Sequence, residues 1–117
     1  MWWWRYEPRT HVPTRLAREY SRRYTLGQLR PGWNLRSVSR NMDRVSTLIH
    51  RVEVNPEIAG ELLLMPRGKR RELVAGIACP PASDPIWERL TSAQDVLVEL
   101  STDRGSFETV ACRARVF

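Results

Sequence analysis

A chain of 117 residues with 42% hydrophobic content is long enough for one domain with a modest core and too apolar to be disordered throughout. Its formal charge of +6 favours an anionic partner: nucleic acid, an acidic membrane surface or an acidic protein. No stretch reaches the roughly 18 apolar residues of a membrane span, and the opening does not read as a secretory leader, because charges follow Trp2–Trp4 at once.

Charge and rings are unevenly divided. Residues 1–51 hold 11 arginines against three acids (Glu7, Glu19, Asp43), whereas residues 52–117 hold seven arginines and Lys69 against ten acids. Seven of the ten aromatic residues, from Trp2 to Trp33, fall in the first 33 positions. The composition therefore predicts a basic, aromatic N-terminal arm and helix over 1–33, followed by a small α+β body over 34–117. Arginine in place of lysine has two readings. It is either compositional drift in a GC-rich genome or a functional choice, since guanidinium forks grip phosphate bidentately and stack on rings.

In chain order, Pro8 and Pro13 keep the start extended. TRLAREYSRRY (14–24) predicts a helix with Leu16, Tyr20 and Tyr24 on one face and Arg15, Arg18, Arg22 and Arg23 spread over the others. Pro31-Gly32 is a turn signal. Leu35, Val38, Met42, Val45, Ile49 and Val52 recur at steps of three and four, which predicts a helix from about 34 to 46. Alternation of Leu48, His50, Val52 and Val54 predicts a strand from about 47 to 54, with one long helix as the alternative. ELLLMP (61–66) and RELVAGIAC (71–79) are expected to form a hairpin around RGKR. PPASDPIWERL predicts a short helix capped by Asp84, with Pro85 at its first position. DVLVELST (95–102) and SFETVACRARVF (106–117) predict a second hairpin turning at Asp103-Arg104-Gly105. The expected fold class is α+β: an antiparallel sheet of four or five strands, one or two N-terminal helices and an extended N-terminal arm.

Little in the chain points to catalysis. His11 and His50 are the only histidines, and their spacing supports no nuclease arrangement. Gly68-Lys69-Arg70 lacks the glycine and the Ser/Thr of a phosphate loop. Cys79 and Cys112 have no zinc spacing and are expected to be small buried thiols in a reducing compartment. The expectation is a non-enzymatic protein with no cofactor, no metal, no membrane and no small-molecule substrate.

The basic residues carry the functional reading. Arg15, Arg18, Arg22, Arg23, Arg67, Lys69, Arg70 and Arg71 are candidate phosphate contacts, the last four at the tip of the first hairpin. Trp2, Trp3, Trp4 and Tyr6 are candidates for docking on protein or stacking on bases, because exposed indoles each cost about 2 kcal/mol or more to leave in water. Together they predict a nucleic-acid-binding component of a larger assembly, RNA or single strands favoured, with a protein partner or homo-oligomer expected and a location inside the cell or in a particle assembled there. The rival is a structural or interaction protein, such as a virion component or a protein inhibitor.

Overall fold

The computed structural model describes residues 10–42 and 44–113; Trp2, Trp3, Trp4 and Tyr6 lie outside the described residues. Nine elements follow in order: α1 (Thr14–Arg22), β1 (Gly27–Arg30), β2 (Trp33–Arg40), β3 (Thr47–Val54), α2 (Pro56–Leu64), α3 (Arg67–Ala78), α4 (Ile86–Arg89), β4 (Asp95–Thr102) and β5 (Gly105–Cys112). The strands form one sheet in the order β1-β2-β3-β4-β5. Neighbours are antiparallel except β3 and β4, which pair in parallel from Thr47↔Asp95 to Glu53↔Ser101. The fold is α+β as expected, but the sheet is mixed. A parallel pair needs a long crossover, and α2, α3 and α4 supply it.

Residues 34–40, expected to be helical, are strand β2. The register explains the misreading. Leu35 opposes Val52, Ser37 opposes Arg51 and Val38 opposes His50, so Arg36 is an extra residue in a bulge. A bulge puts Leu35 and Val38 on one face although they are three apart, and that spacing imitates a helical seam. Strand β3 forms where expected.

Residues 61–79 are also corrected: they contribute to two helices and not to a hairpin. Asn55 caps α2, its side chain accepting from the Ile58 amide at 2.9 Å, with Pro56 next in the first turn. Pro66 separates α2 from α3, and the Arg70 amide returns to the Pro66 carbonyl at 3.0 Å. RGKR is thus the first turn of α3. Ala59 and Leu62 on α2, and Val74 and Ala78 one turn apart on α3, are the buried positions.

The later expectations fare better. The Asp84 carboxylate holds the Ile86 amide at 2.9 Å, although α4 starts one residue past Pro85. Gly105 takes φ +116° at the β4–β5 turn. Val96, Val98 and Leu100 point inward with Val110 and Cys112.

All four helices cover one face of the sheet. Val12, Leu16 and Tyr20 from the α1 region join Trp33, Val38, Leu48, Val52, Val98 and Val74 in a single apolar cluster. Helix α1 packs on β2, while α3 meets β5, β4 and β1. The cysteines are not free thiols. Cys79, at the end of α3, is bonded to Cys112 on β5, with Cα atoms 5.6 Å apart. The alternation that buries Cys112 also aims it at the helix layer, which sequence spacing does not reveal.

Candidate functional site

Helical phase decides what each basic residue does. On α1, Leu16, Ala17 and Tyr20 face the core. Arg15, Arg18 and Arg22, at steps of three and four, line up on the opposite side, and all three are exposed. Arg15 pairs with Glu19 at 3.3 Å. Arg18 and Arg22 have no ion pair among the described residues. Glu19 is held below the usual carboxylate range, first by its hydrogen bond to Arg89 at 3.0 Å and secondarily by Arg15.

Arg23 leans back toward the body. Its Nη2 donates to Asp84 at 2.9 Å, and its guanidinium lies 5.2 Å from the Tyr20 ring centroid. On α3 the four expected contacts divide. Arg70 turns under the helix, its Nε 2.6 Å from Glu108 of β5, both side chains only 15% exposed. That approach is outside hydrogen-bonding angles, and the Arg70 Nη1 reaches the Leu62 carbonyl at 3.5 Å. Arg67, Lys69 and Arg71 stay exposed. The basic stretch is therefore a helix start with one member withdrawn, not a hairpin tip.

A second cluster was not anticipated. His50, 1% exposed, stands with Nε2 2.6 Å from the Tyr20 hydroxyl, and the Ala78 carbonyl beside the ring favours a hydrogen on Nδ1, which leaves Nε2 to accept from Tyr20. The Tyr24 hydroxyl lies 3.1 Å from that of Tyr20 and 3.3 Å from Asp84 Oδ2. The three rings pack edge to face or tilted, with centroids 4.9 to 5.6 Å apart. Burial pushes His50 down to about 4, against a weaker opposing effect of the Ala78 carbonyl. Burial also pushes both phenols up, so each keeps its hydrogen. The sequence signals were the four-residue spacing of Tyr20 and Tyr24 and the inward phase of His50. What was missing was that α1 lies over β3 at this point.

Among the described residues, no helix packs on the opposite face of the sheet. It presents Ser37, Ser39, Leu97 and the ion pairs Arg51–Glu99 at 3.7 Å and Arg36–Glu53 at 3.6 Å. These pairs use basic residues from the cationic half of the chain. Two shallow grooves lie on the helix side, one of about 500 Å³ beside Cys79, Pro81 and Arg113, the other of about 430 Å³ between α2 and the β4–β5 turn. The two histidines are not brought into one site: the His11 carbonyl accepts from Gln94 at 2.8 Å, and His50 bonds Tyr20. Among the described residues no group of three or more His, Cys, Asp or Glu is placed to hold a metal ion, and no helix is long and apolar enough to cross a membrane. Comparison of the chain with protein families, curated proteins and solved structures finds no match.

Proposed function

We propose that this chain is a small non-enzymatic component of a larger assembly that grips nucleic acid, RNA or single strands favoured, through the outer face of α1. The observation that carries the reading is the stripe Arg15, Arg18 and Arg22. Seven residues of helix place its ends about 10 Å apart, roughly the axial rise of three nucleotides along one strand. Arg67, Lys69 and Arg71 form a second exposed set at the start of α3. Arg23 and Arg70 leave the contact set, because Asp84 and Glu108 draw them against the body, whereas the pair with Glu19 leaves Arg15 91% exposed. Trp2, Trp3, Trp4 and Tyr6 remain the proposed anchor to the assembly or to unpaired bases.

Two features support binding over catalysis. The one histidine in a polar network is sealed from solvent with its phenol partner. Among the described residues, the one carboxylate paired with the α1 stripe, Glu19, is itself engaged by Arg15 and Arg89. A particle assembled inside a cell and oxidised after release is the location that best accommodates the Cys79–Cys112 bond, since such bonds are rare in a reducing cytosol.

The test is fluorescence anisotropy with labelled single-stranded RNA, single-stranded DNA and duplex, between about 50 and 200 mM salt. Binding that weakens steeply with salt is expected. Arg18→Ala plus Arg22→Ala should flatten the log–log salt slope by about two, one per lost phosphate contact. Absence of binding to every oligonucleotide at the lowest salt overturns the reading. The rival, a structural or inhibitory protein, draws on the exposed apolar side chains Leu63 and Leu64 on α2, the latter 88% exposed. Self-assembly by light scattering, without oligonucleotide binding, would favour it.

A further inference from the structure

With the imidazole hydrogen of His50 on Nδ1, the buried cluster has one hydrogen fewer than its contacts require. Four groups stand in a row: His50 Nε2, the Tyr20 hydroxyl, the Tyr24 hydroxyl and Asp84 Oδ2, with successive separations of 2.6, 3.1 and 3.3 Å. Three contacts need three hydrogens, and two phenols bring two. With neutral His50, Tyr20 donates to Nε2 and Tyr24 donates to Tyr20, which leaves the Tyr24–Asp84 contact without a hydrogen. Asp84 is not orphaned by this, because Arg23 and the Ile86 amide donate to its other oxygen.

We propose that His50, Tyr20, Tyr24 and Asp84 are a proton-accepting relay with two polarities, through which the helix layer responds to acid. A proton taken from solvent onto Nε2 makes the imidazole a donor at both nitrogens. The Tyr20 hydrogen then turns from Nε2 to the Tyr24 oxygen, and the Tyr24 hydrogen turns from Tyr20 to Asp84 Oδ2. No covalent bond forms or breaks beyond the added N–H. Each contact now has its hydrogen, and Nδ1 keeps its bond to the Ala78 carbonyl. In the neutral form α1 donates toward the sheet; in the acid form it donates toward the α3–α4 loop. The relay therefore shifts the hydrogen bonding of α1 from one neighbour to another without breaking it.

The surroundings contain few other charges to blur this. Helix α1 presents Tyr20, and the two residues after it present Arg23 and Tyr24; the loop before α4 presents Asp84; α3 presents the Ala78 carbonyl. The neighbours of His50 within the sheet are Val38 and Val98. The Arg70–Glu108 pair lies farther along the sheet, opposite Leu100. Burial lowers the proton affinity of His50 to about 4 from 6.5, so the unfolded chain binds more protons between those values. Stability is then complete above about pH 6.5, and the unfolding constant rises up to about tenfold per unit as pH falls toward 4.

The experiment is a pH titration of the imidazole nitrogens by NMR on the full chain, with His11 as an internal control. Expected for the unsubstituted protein is a neutral His50 with its hydrogen on Nδ1, protonating well below 6.5. Tyr24→Phe cuts the row and Asp84→Asn removes its charged end. Each should lower the His50 midpoint by about half a unit or more, roughly threefold in proton affinity. Combining them should add little, because they interrupt one path. If acid unfolds the chain first, the urea midpoint measured against pH replaces the titration, and both variants should extend the acid-sensitive range downward. An Nε2–H tautomer at neutral pH, or a His50 midpoint (or acid-sensitive range) that neither variant moves, overturns the relay.

Discussion

Helix α1 and the start of α3 have nearly the same recipe, several arginines around a few apolar residues, and they use it in opposite ways. In α1 Arg15, Arg18 and Arg22 share the side of the helix away from Leu16 and Tyr20, so they reach solvent. In α3 Arg70 sits one turn ahead of Val74, in phase with the buried seam, so it goes under the helix to Glu108. The lesson is that a run of basic residues has no single meaning. Its phase against the apolar stripe decides which members are ligands for something else and which are already answered by the protein. The two helices also differ in how they are held. Helix α3 is tied to β5 by a disulfide and a mostly buried ion pair; α1 is held by packing, by the Tyr20–His50 hydrogen bond and by the exposed Glu19–Arg89 pair to α4.

That contrast can be broken from the α3 side. Replacing Cys79 and Cys112 by serine, or reducing the bond, opens a loop spanning 33 positions and is expected to lower stability by about 3 kcal/mol, within a usual range of 2–4. Urea unfolding with and without reductant measures it. Next in size, Glu108→Ala leaves Arg70 buried without its carboxylate and should lower stability by about 2–3 kcal/mol, less than a fully buried pair because both side chains keep some solvent. Restoring stability by Arg70→Met in the same chain would show that the loss came from the orphaned charge. Smallest, Arg18→Ala and Arg22→Ala should change stability by no more than about 0.5 kcal/mol while altering polyanion binding. A large loss of stability in these two would place them with Arg70 and erase the contrast.

Where the sequence was legible, the pattern was local. Helix α1, strand β3, the Asp84 cap and the β4–β5 turn each follow from a few neighbouring residues, and each is present. Where reading failed, a remote partner set the outcome. The Leu35–Val38 spacing looked helical because a bulge against β3 shifts the phase by one residue. ELLLMP and RELVAGIAC contain enough leucine and valine to pass for strands, and the Asn55-Pro56 cap that starts the first helix lies upstream of both. β1, a four-residue strand exposed throughout, had no apolar alternation to betray it. For the proposed phosphate contacts the sequence supplies eight cations but not their phase, and the fold turns Arg23 and Arg70 back to Asp84 and Glu108. The buried tyrosines and histidine were noticed separately, but nothing in a linear chain shows that residues 20, 24, 50 and 84 meet.

The parallel seam between β3 and β4 has a consequence for how the chain reaches this state. Strands β1 to β3 close by short turns, and so do β4 and β5, but Thr47 meets Asp95 across 48 positions. The sheet is two locally wound sections sewn together along their inner margins, with the whole helical crossover as the thread. Joining the sections bears the largest loop-closure entropy of any strand pairing here, so the seam sets the pace of assembly. Until it closes, both inner margins stand bare to other chains.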